Sequence, residues 1–290
     1  MTLPSFDIDT PASCVEASEI LSAHPEDAAA YHGGTELVLL LKLRLASFSR
    51  LVDLKGIAAL KRLELAGSSL VIGAGVTHRE LELSALVRDV LPSLTAMERT
   101  VANVRVRAAG TLGGNLCFSD PHSDPATFFQ AVGCDVVVAG TGGTRSLSLS
   151  DFMLGAYRTA LAPGEILQEI HVPLPAAGTS IVHRKLAFHE RPTITVTCVV
   201  RAGDPGALRV AIGSVGPRPQ RSAEAEGLLS ALDVGDPDAV RLAAAGRAAA
   251  GEIRVTADEN GSAEFKQQLV STLVQRSFRD ACRQAVADAA

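Results

Sequence analysis

Two glycine-rich segments set the tightest limits on how this chain can fold. The first, Tyr31-His32-Gly33-Gly34-Thr35-Glu36-Leu37, follows a short strand expected at Ala28–Tyr31 and leads into a helix expected from about Thr35 to Leu43. The second, Ala109-Gly110-Thr111-Leu112-Gly113-Gly114-Asn115-Leu116, holds three glycines within five residues. Glycine lets a backbone or a ligand approach without a Cβ in the way. The amides that open a helix have no intrahelical acceptor, and the dipole there favours an anion. A pyrophosphate is the natural guest of such a turn. A plain strand–helix turn uses the same residues, so the first motif alone leaves both readings open. In the second, Thr111 and Asn115 add a hydroxyl and an amide. Asp124 offers a carboxylate to ribose hydroxyls or a ring substituent. Asp120 and Asp124 are also candidates to cap the helix that begins at Pro125.

The rest of the chain narrows the function classes. Its 290 residues allow about two domains, and 47% hydrophobic content rules out intrinsic disorder. The longest apolar run, Leu37-Val38-Leu39-Leu40-Leu41, stops at Lys42, so no membrane span is expected. No basic start followed by an apolar stretch marks a secretory signal. A net charge of −5 with dispersed Arg and Lys argues against a nucleic-acid surface. The five cysteines, Cys14, Cys117, Cys134, Cys198 and Cys282, form no C-x-x-C pair, so iron–sulfur or zinc binding by this chain is not expected. Isolated thiols fit a reducing cytosol, and the protein is read as cytoplasmic.

Three regions follow from periodicity. Residues 1–57 hold a helix from Cys14, with Ser13 as N-cap and Glu16 completing a capping box, then strands at Ala28–Tyr31 and Leu51–Leu54. Residues 58–176 hold a hairpin around Gly67-Ser68-Ser69, helices at His78–Leu83, Leu91–Val101 and Pro125–Val132, and strands at Asp135–Ala139, Thr144–Leu149 and Ile166–Val172. Residues 177–290 hold three antiparallel strands, Ile181–Leu186, Thr193–Val200 and Leu208–Val215, then three helices rich in alanine.

Several chemistries find no support. Gly73-Ala74-Gly75 lacks the third glycine of a dinucleotide fingerprint, because that position is His78, and it reads as a strand end. His78, His122, His171, His183 and His189 show no metal-ligand spacing with an acid, and packing is the better reading of each. Cys117 and Ser119 have no base nearby in sequence for nucleophilic catalysis. No catalytic residue and no metal ligand is assigned.

Taken in order, His32-Gly33-Gly34-Thr35-Glu36-Leu37, Ile72-Gly73-Ala74-Gly75, Gly110-Thr111-Leu112-Gly113-Gly114-Asn115-Leu116 and Asp120-Pro121…Asp124 resemble the FAD-binding medium subunit of the molybdenum hydroxylases, the xanthine dehydrogenase and carbon monoxide dehydrogenase family. Ile212-Gly213-Ser214-Val215-Gly216-Pro217 and Gly261-Ser262-Ala263-Glu264-Phe265 resemble its C-terminal flavoprotein domain. The resemblance implies an α+β fold. Two FAD-binding subdomains of the vanillyl-alcohol-oxidase/PCMH type (1–57 and 58–176) would precede a C-terminal domain (177–290) with a three-stranded antiparallel sheet and helices.

It also implies roles. Tyr31, His32, Gly33, Gly34, Thr35, Glu36 and Leu37 would cradle the FAD pyrophosphate. Thr111, Gly113, Gly114 and Asn115 would make the second phosphate and ribityl contact, and Asp124 would bind the adenosine part. Ile166 or Leu167 would pack on the isoalloxazine, and Lys185 would place a positive charge near the flavin; an exposed strand lysine is the competing reading. Molybdopterin and [2Fe-2S] clusters would reside in partners, a large and a small subunit, within a dimer of heterotrimers. This chain would pass electrons from those clusters to an external acceptor. The alternatives are a stand-alone flavin-dependent reductase of the same superfold and a scaffold that has lost FAD. One stretch departs from a family branch that has Arg-x-x-Asp: here it reads His189-Glu190-Arg191-Pro192-Thr193. A cysteine-rich insertion found in some relatives is absent.

Overall fold

The computed structural model describes residues 3–188 and 191–289. His189 and Glu190 of the departing stretch lie outside them. The chain forms two compact units, the first from residues up to 90, 98–118 and 134–174, the second from 91–97, 119–133 and 175 onward.

In the first unit, β1 (Asp7–Asp9), β2 (Ala28–Tyr31) and β3 (Arg50–Asp53) make a parallel sheet in the order β1-β3-β2. Parallel neighbours need crossovers, and the helices Cys14–Ala23 and Leu37–Lys42 provide them. Ser13 caps the first helix: the Glu16 amide donates to Ser13 Oγ at 3.1 Å, and the Glu16 carboxylate accepts from the Ala12 amide at 2.8 Å. The central strand is covered on both faces, so Leu51 and Val52 are buried.

The same unit adds β4 (Leu63–Ala66), β5 (Ser69–Gly73), β6 (Asp135–Gly140), β7 (Gly143–Ser148), β8 (Met153–Gly155), β9 (Arg158–Thr159) and β10 (Ile166–Pro173). Five of these form an antiparallel sheet, β4-β5-β10-β6-β7, while β8 and β9 pair separately. Its middle strands bury Leu70, Ile72, Val136, Val138, Ile170 and Val172. The exception is Glu169, buried on β10 beside a bulge, where it accepts from Arg62 at 2.5 Å and bonds His171 at 2.8 Å.

The second unit is built on β11 (Thr179–Leu186), β12 (Ile194–Arg201), β13 (Arg209–Gly213) and β14 (Gln220–Arg221), antiparallel in that order. The sequence predicts three strands here. The fourth is two residues long, too short to show a period, and it pairs after the Pro217–Pro219 break. The two faces of β12 differ sharply. Ile194, Val196, Cys198 and Val200 join the core made with the helices Ala223–Ser230, Ala239–Glu252 and Ala263–Ala289. The opposite face carries Thr195 and Thr197, continuing the register of Thr193; all three are fully buried. The helix Asp124–Val132 packs on that side, with Thr127 Oγ1 2.8 Å from Thr195 Oγ1. Gly246 lets the last two helices touch: a Cβ there would stand 2.5 Å from the Ser271 carbonyl oxygen.

Three sequence expectations shift. The helix expected over Thr35–Leu43 is Leu37–Lys42, and Leu91–Val101 shortens to Pro92–Glu98. The glycine-rich stretch after Ala109, for which the sequence predicts no element, contains the helix Leu112–Phe118. Leu112 and Leu116, one turn apart, are both buried, and that anchoring outweighs the poor helix propensity of Gly113 and Gly114. Helices at Ala85–Val90 and Val104–Ala109 were not anticipated.

Candidate functional site

The first unit brings both glycine motifs together. Gly33 lies against the main chain of the second motif: a Cβ there would sit 2.2 Å from the Ala109 carbonyl oxygen and 3.0 Å from Gly110 Cα. Gly34 takes φ +70, and its Cβ would collide with the Tyr31 ring at 2.6 Å. That ring is held in turn by Lys55, whose Nζ is 4.4 Å from its centroid. Thr35 Oγ1 stands 3.4 Å from the Cβ position of Gly110.

A third segment, residues 73–78, ties the motifs from below. The Leu112 amide donates to the Val76 carbonyl at 2.9 Å, the Gly113 amide to Ala74 at 2.9 Å, and the His78 amide to Gly110 at 3.1 Å. Gly113 has no room for a side chain, since its Cβ would be 2.4 Å from Ala74 Cβ. The Gly73-Ala74-Gly75 strand end is therefore part of the same structure. Thr111 turns its hydroxyl onto the Gly114 amide at 3.0 Å, and its carbonyl accepts from the Asn115 amide at 3.0 Å. Below this loop His78 and Glu98, both buried, share a 2.8 Å contact through Nδ1 and Oε2.

His32 stands out among these side chains. Its Nε2 is buried with no hydrogen-bond partner, against Gly75, whose Cβ would lie 2.6 Å away. Burial pushes the imidazole below its ordinary pKa; Asp53 and Glu80 pull it up, and Lys55 and Lys61 push it further down.

The remaining expected residues fall in two places. Ile166 and Leu167 are on β10 and buried, with Leu167 opposite Val138. Their neighbour Cys117 is a thiol that burial pushes up to about 12. Asp124 and Lys185 belong to the second unit and meet there: Lys185 Nζ is 2.7 Å from Asp124 Oδ2. His183 completes the group, with Nε2 3.3 Å from Asp124 Oδ1 and Nδ1 2.8 Å from Thr197 Oγ1. Neither expected aspartate provides the side-chain cap of the helix that starts at Asp124. Ser123 does, accepting from the Ala126 amide at 3.0 Å, which leaves the Asp124 carboxylate for its ion pair. Asp120 instead pairs with Arg191 and His122.

Sequence reasoning missed His183 as the third member of this group. The signal was present: on a strand, residues two apart share a face, so His183 and Lys185 point the same way. No comparable signal marked the orphan nitrogen of His32. Among the described residues, no cluster of three or more His, Cys, Asp and Glu side chains is placed to hold a metal ion.

A family model described as the FAD binding domain in molybdopterin dehydrogenase matches residues 4–175. The chain belongs to this family. A second, the CO dehydrogenase flavoprotein C-terminal domain, matches residues 193–281. Among curated relatives, the carbon monoxide dehydrogenase medium chain of Afipia carboxidovorans is 31% identical over 96% of each chain. The nicotine 6-hydroxylase medium subunit of Paenarthrobacter nicotinovorans is 30% identical, covering 97% of this chain and 99% of its own. The solved structure of carbon monoxide dehydrogenase from Hydrogenophaga pseudoflava superposes with a TM-score of 0.92 at 31% identity, covering 98% of this chain and 99% of that one. Quinoline 2-oxidoreductase from Pseudomonas putida 86 gives 0.89 at 29% identity, with the same coverage.

The molecule is thus a FAD flavoprotein, an oxidoreductase subunit of the medium-chain kind, and its fold is the mixed α and β architecture of that group. Its own geometry fits the cofactor. The glycines crowd three backbone segments into one turn region. No described helix is long and apolar enough to cross a membrane.

Proposed function

We propose that this chain is the electron-transferring flavin subunit of a heteromeric molybdenum hydroxylase. A molybdopterin-binding large subunit oxidises the substrate, a small [2Fe-2S] subunit relays the electrons, and this chain hands them to an external acceptor. The assembly is a dimer of heterotrimers in the cytoplasm. The observation that supports this reading is the interlocked glycine region, combined with a family match that spans both units.

In this reading the amides of residues 31–37 hold the FAD pyrophosphate, and Thr35 adds its hydroxyl. Thr111, Gly113, Gly114 and Asn115 make the second phosphate and ribityl contact. Asp124 serves the adenosine part, Ile166 or Leu167 the isoalloxazine, and Lys185 the charge of the reduced ring. The ion pair bears on the roles of Asp124 and Lys185. Asp124 offsets the charge of Lys185, so either residue engages a ligand only as far as the other releases it. FAD, when bound, supplies a carrier that takes and gives electrons singly or in pairs; the chain's part is to hold and orient it and to tune its charge environment.

The test is purification of the full chain followed by its absorbance spectrum and identification of the released flavin. Bound FAD, reducible by dithionite but bleached by an organic substrate only after the partner subunits are added, is the expected result. Bleaching by substrate with this chain alone would instead make it a self-contained reductase.

A further inference from the structure

We propose that His32 is a side-chain ligand of the flavin pyrophosphate, donating a hydrogen bond from Nδ1 to a phosphate oxygen while its buried Nε2 stays unprotonated. This rests on residues 31–37 being the phosphate loop.

The argument begins with the slot at Gly75. The imidazole edge fills the space that a side chain at residue 75 would take, at 2.6 Å from that Cβ position, and the Leu60 carbonyl oxygen lies 2.9 Å from the same point. That carbonyl already accepts from the Gly75 amide at 2.8 Å. Nε2 is buried there without a partner, although the residue as a whole is only half-buried.

A neutral imidazole carries one N–H, and the slot decides where it sits. A buried donor without an acceptor is rare and costly. Placing the proton on Nε2 would create one. Placing it on Nδ1 leaves the donor beside the loop's own main chain, because Nδ1 is bonded directly to Cγ. The doubly protonated ring would put a charge in the slot. Burial opposes that most, Lys55 and Lys61 add to it, and Asp53 and Glu80, which pull the other way, do not overcome them. The ring is therefore held as a neutral, single-direction donor. Its natural acceptor is the anion the neighbouring amides are placed to receive.

The two nitrogens are separable by substitution, since an Asn amide nitrogen reaches about as far as Nδ1 and a Gln amide nitrogen about as far as Nε2. The full-length chain is stripped of flavin and titrated with FAD by fluorescence and calorimetry, with melting temperatures confirming that each variant is folded. His32→Asn is expected to bind within about threefold of the unsubstituted chain. His32→Gln and His32→Leu are expected to bind about tenfold more weakly, the loss of one charge-assisted hydrogen bond. Nitrogen-15 spectra of the imidazole in the FAD-loaded protein should show the Nδ1-protonated tautomer. Unchanged affinity in His32→Leu, rescue by Gln and not by Asn, or an Nε2-protonated ring would each overturn the proposal while leaving the phosphate loop in place. Failure of the unsubstituted chain to bind FAD defeats the loop reading itself, and this proposal with it.

Discussion

Gly33 and Ala109, 76 positions apart in the sequence, touch so closely that a single added methyl group at residue 33 would stand 2.2 Å from the Ala109 carbonyl oxygen. The obstacle is backbone, which cannot rotate away as a flexible side chain can. Gly33→Ala is therefore expected to push the two glycine loops apart at a cost of about 1–3 kcal/mol of stability, the usual range for overpacking. Flavin content should fall with it. Gly142→Ala is the control, because nothing lies within 4 Å of its Cβ position. Urea unfolding and flavin-to-protein ratios on both variants check the expectation, and equal behaviour would refute it.

The Asp124–Lys185 pair makes a second expectation. Asp124 is buried, with 5% of its side chain exposed, and takes both Lys185 and His183. Asp124→Ala removes the buried carboxylate that faces the Lys185 ammonium and His183, and breaking a buried ion pair from one side typically costs about 3–5 kcal/mol. FAD affinity should also drop by roughly tenfold if the carboxylate meets the cofactor. The double variant Asp124→Ala with Lys185→Met should recover part of the stability, since both members of the ion pair are then removed together, but none of the affinity. Chemical denaturation and FAD titration measure the two effects separately.

His32 predicts a pH effect in the flavin-free chain. Burial holds its folded-state pKa below the ordinary 6.5, so below that value the unfolded chain binds more protons. The His32 contribution is complete above about pH 6.5 and is lost as pH falls through the lower folded value. The unsubstituted chain should therefore lose stability relative to His32→Asn as the pH falls below about 6.5. Parallel melting curves across that window show it as a converging or diverging pair; a constant offset would contradict the assignment.

Glu169 acts in a lower window. Burial raises its carboxyl pKa, but the hydrogen bonds from His171 and Arg62 outweigh that and leave it below the ordinary 4.5. Its contribution is present above pH 4.5 and lost as the pH drops through the lower folded value. Glu169→Gln is expected to cost about 1–3 kcal/mol near neutrality, the range for charge-assisted hydrogen bonds. The loss should shrink as the pH falls below 4.5 towards the lower folded value, as acid-range denaturant titrations would reveal.

The sequence discloses the fold where a pattern is long or a cap is chemical. The Ser13 cap, the alternation on β12 and the Gly67 hairpin stand at their expected places, although the Glu16 carboxylate accepts from the Ala12 amide and so does not close a capping box on Ser13. It fails where long-range packing decides. Helix Leu112–Phe118 forms because Leu112 and Leu116 reach a core assembled from distant residues, and no local propensity announces that. At the site, the glycine motifs are readable as close-approach residues, yet what approaches them is not. For Gly33 it is the Ala109 backbone, and for Gly75 it is the His32 ring. The Asp124–His183–Lys185 group is half visible, because the spacing on β11 is local while its carboxylate comes from 59 and 61 positions away.

The unlike faces of β12 make the strand intolerant of miscounting. Thr195 meets the helix Asp124–Val132 through its hydroxyl and Thr197 bonds His183 on β11, while Ile194, Val196 and Cys198 meet three other helices through apolar surface. Deleting one residue just upstream of Ile194 would turn every side chain over at once, driving threonines into the apolar core and isoleucine and valine against Thr127. Point substitutions in this strand each damage one contact. A single-codon deletion would exchange the two faces of the whole unit, so length variation between relatives is expected in the hairpins that flank β12 and not within it.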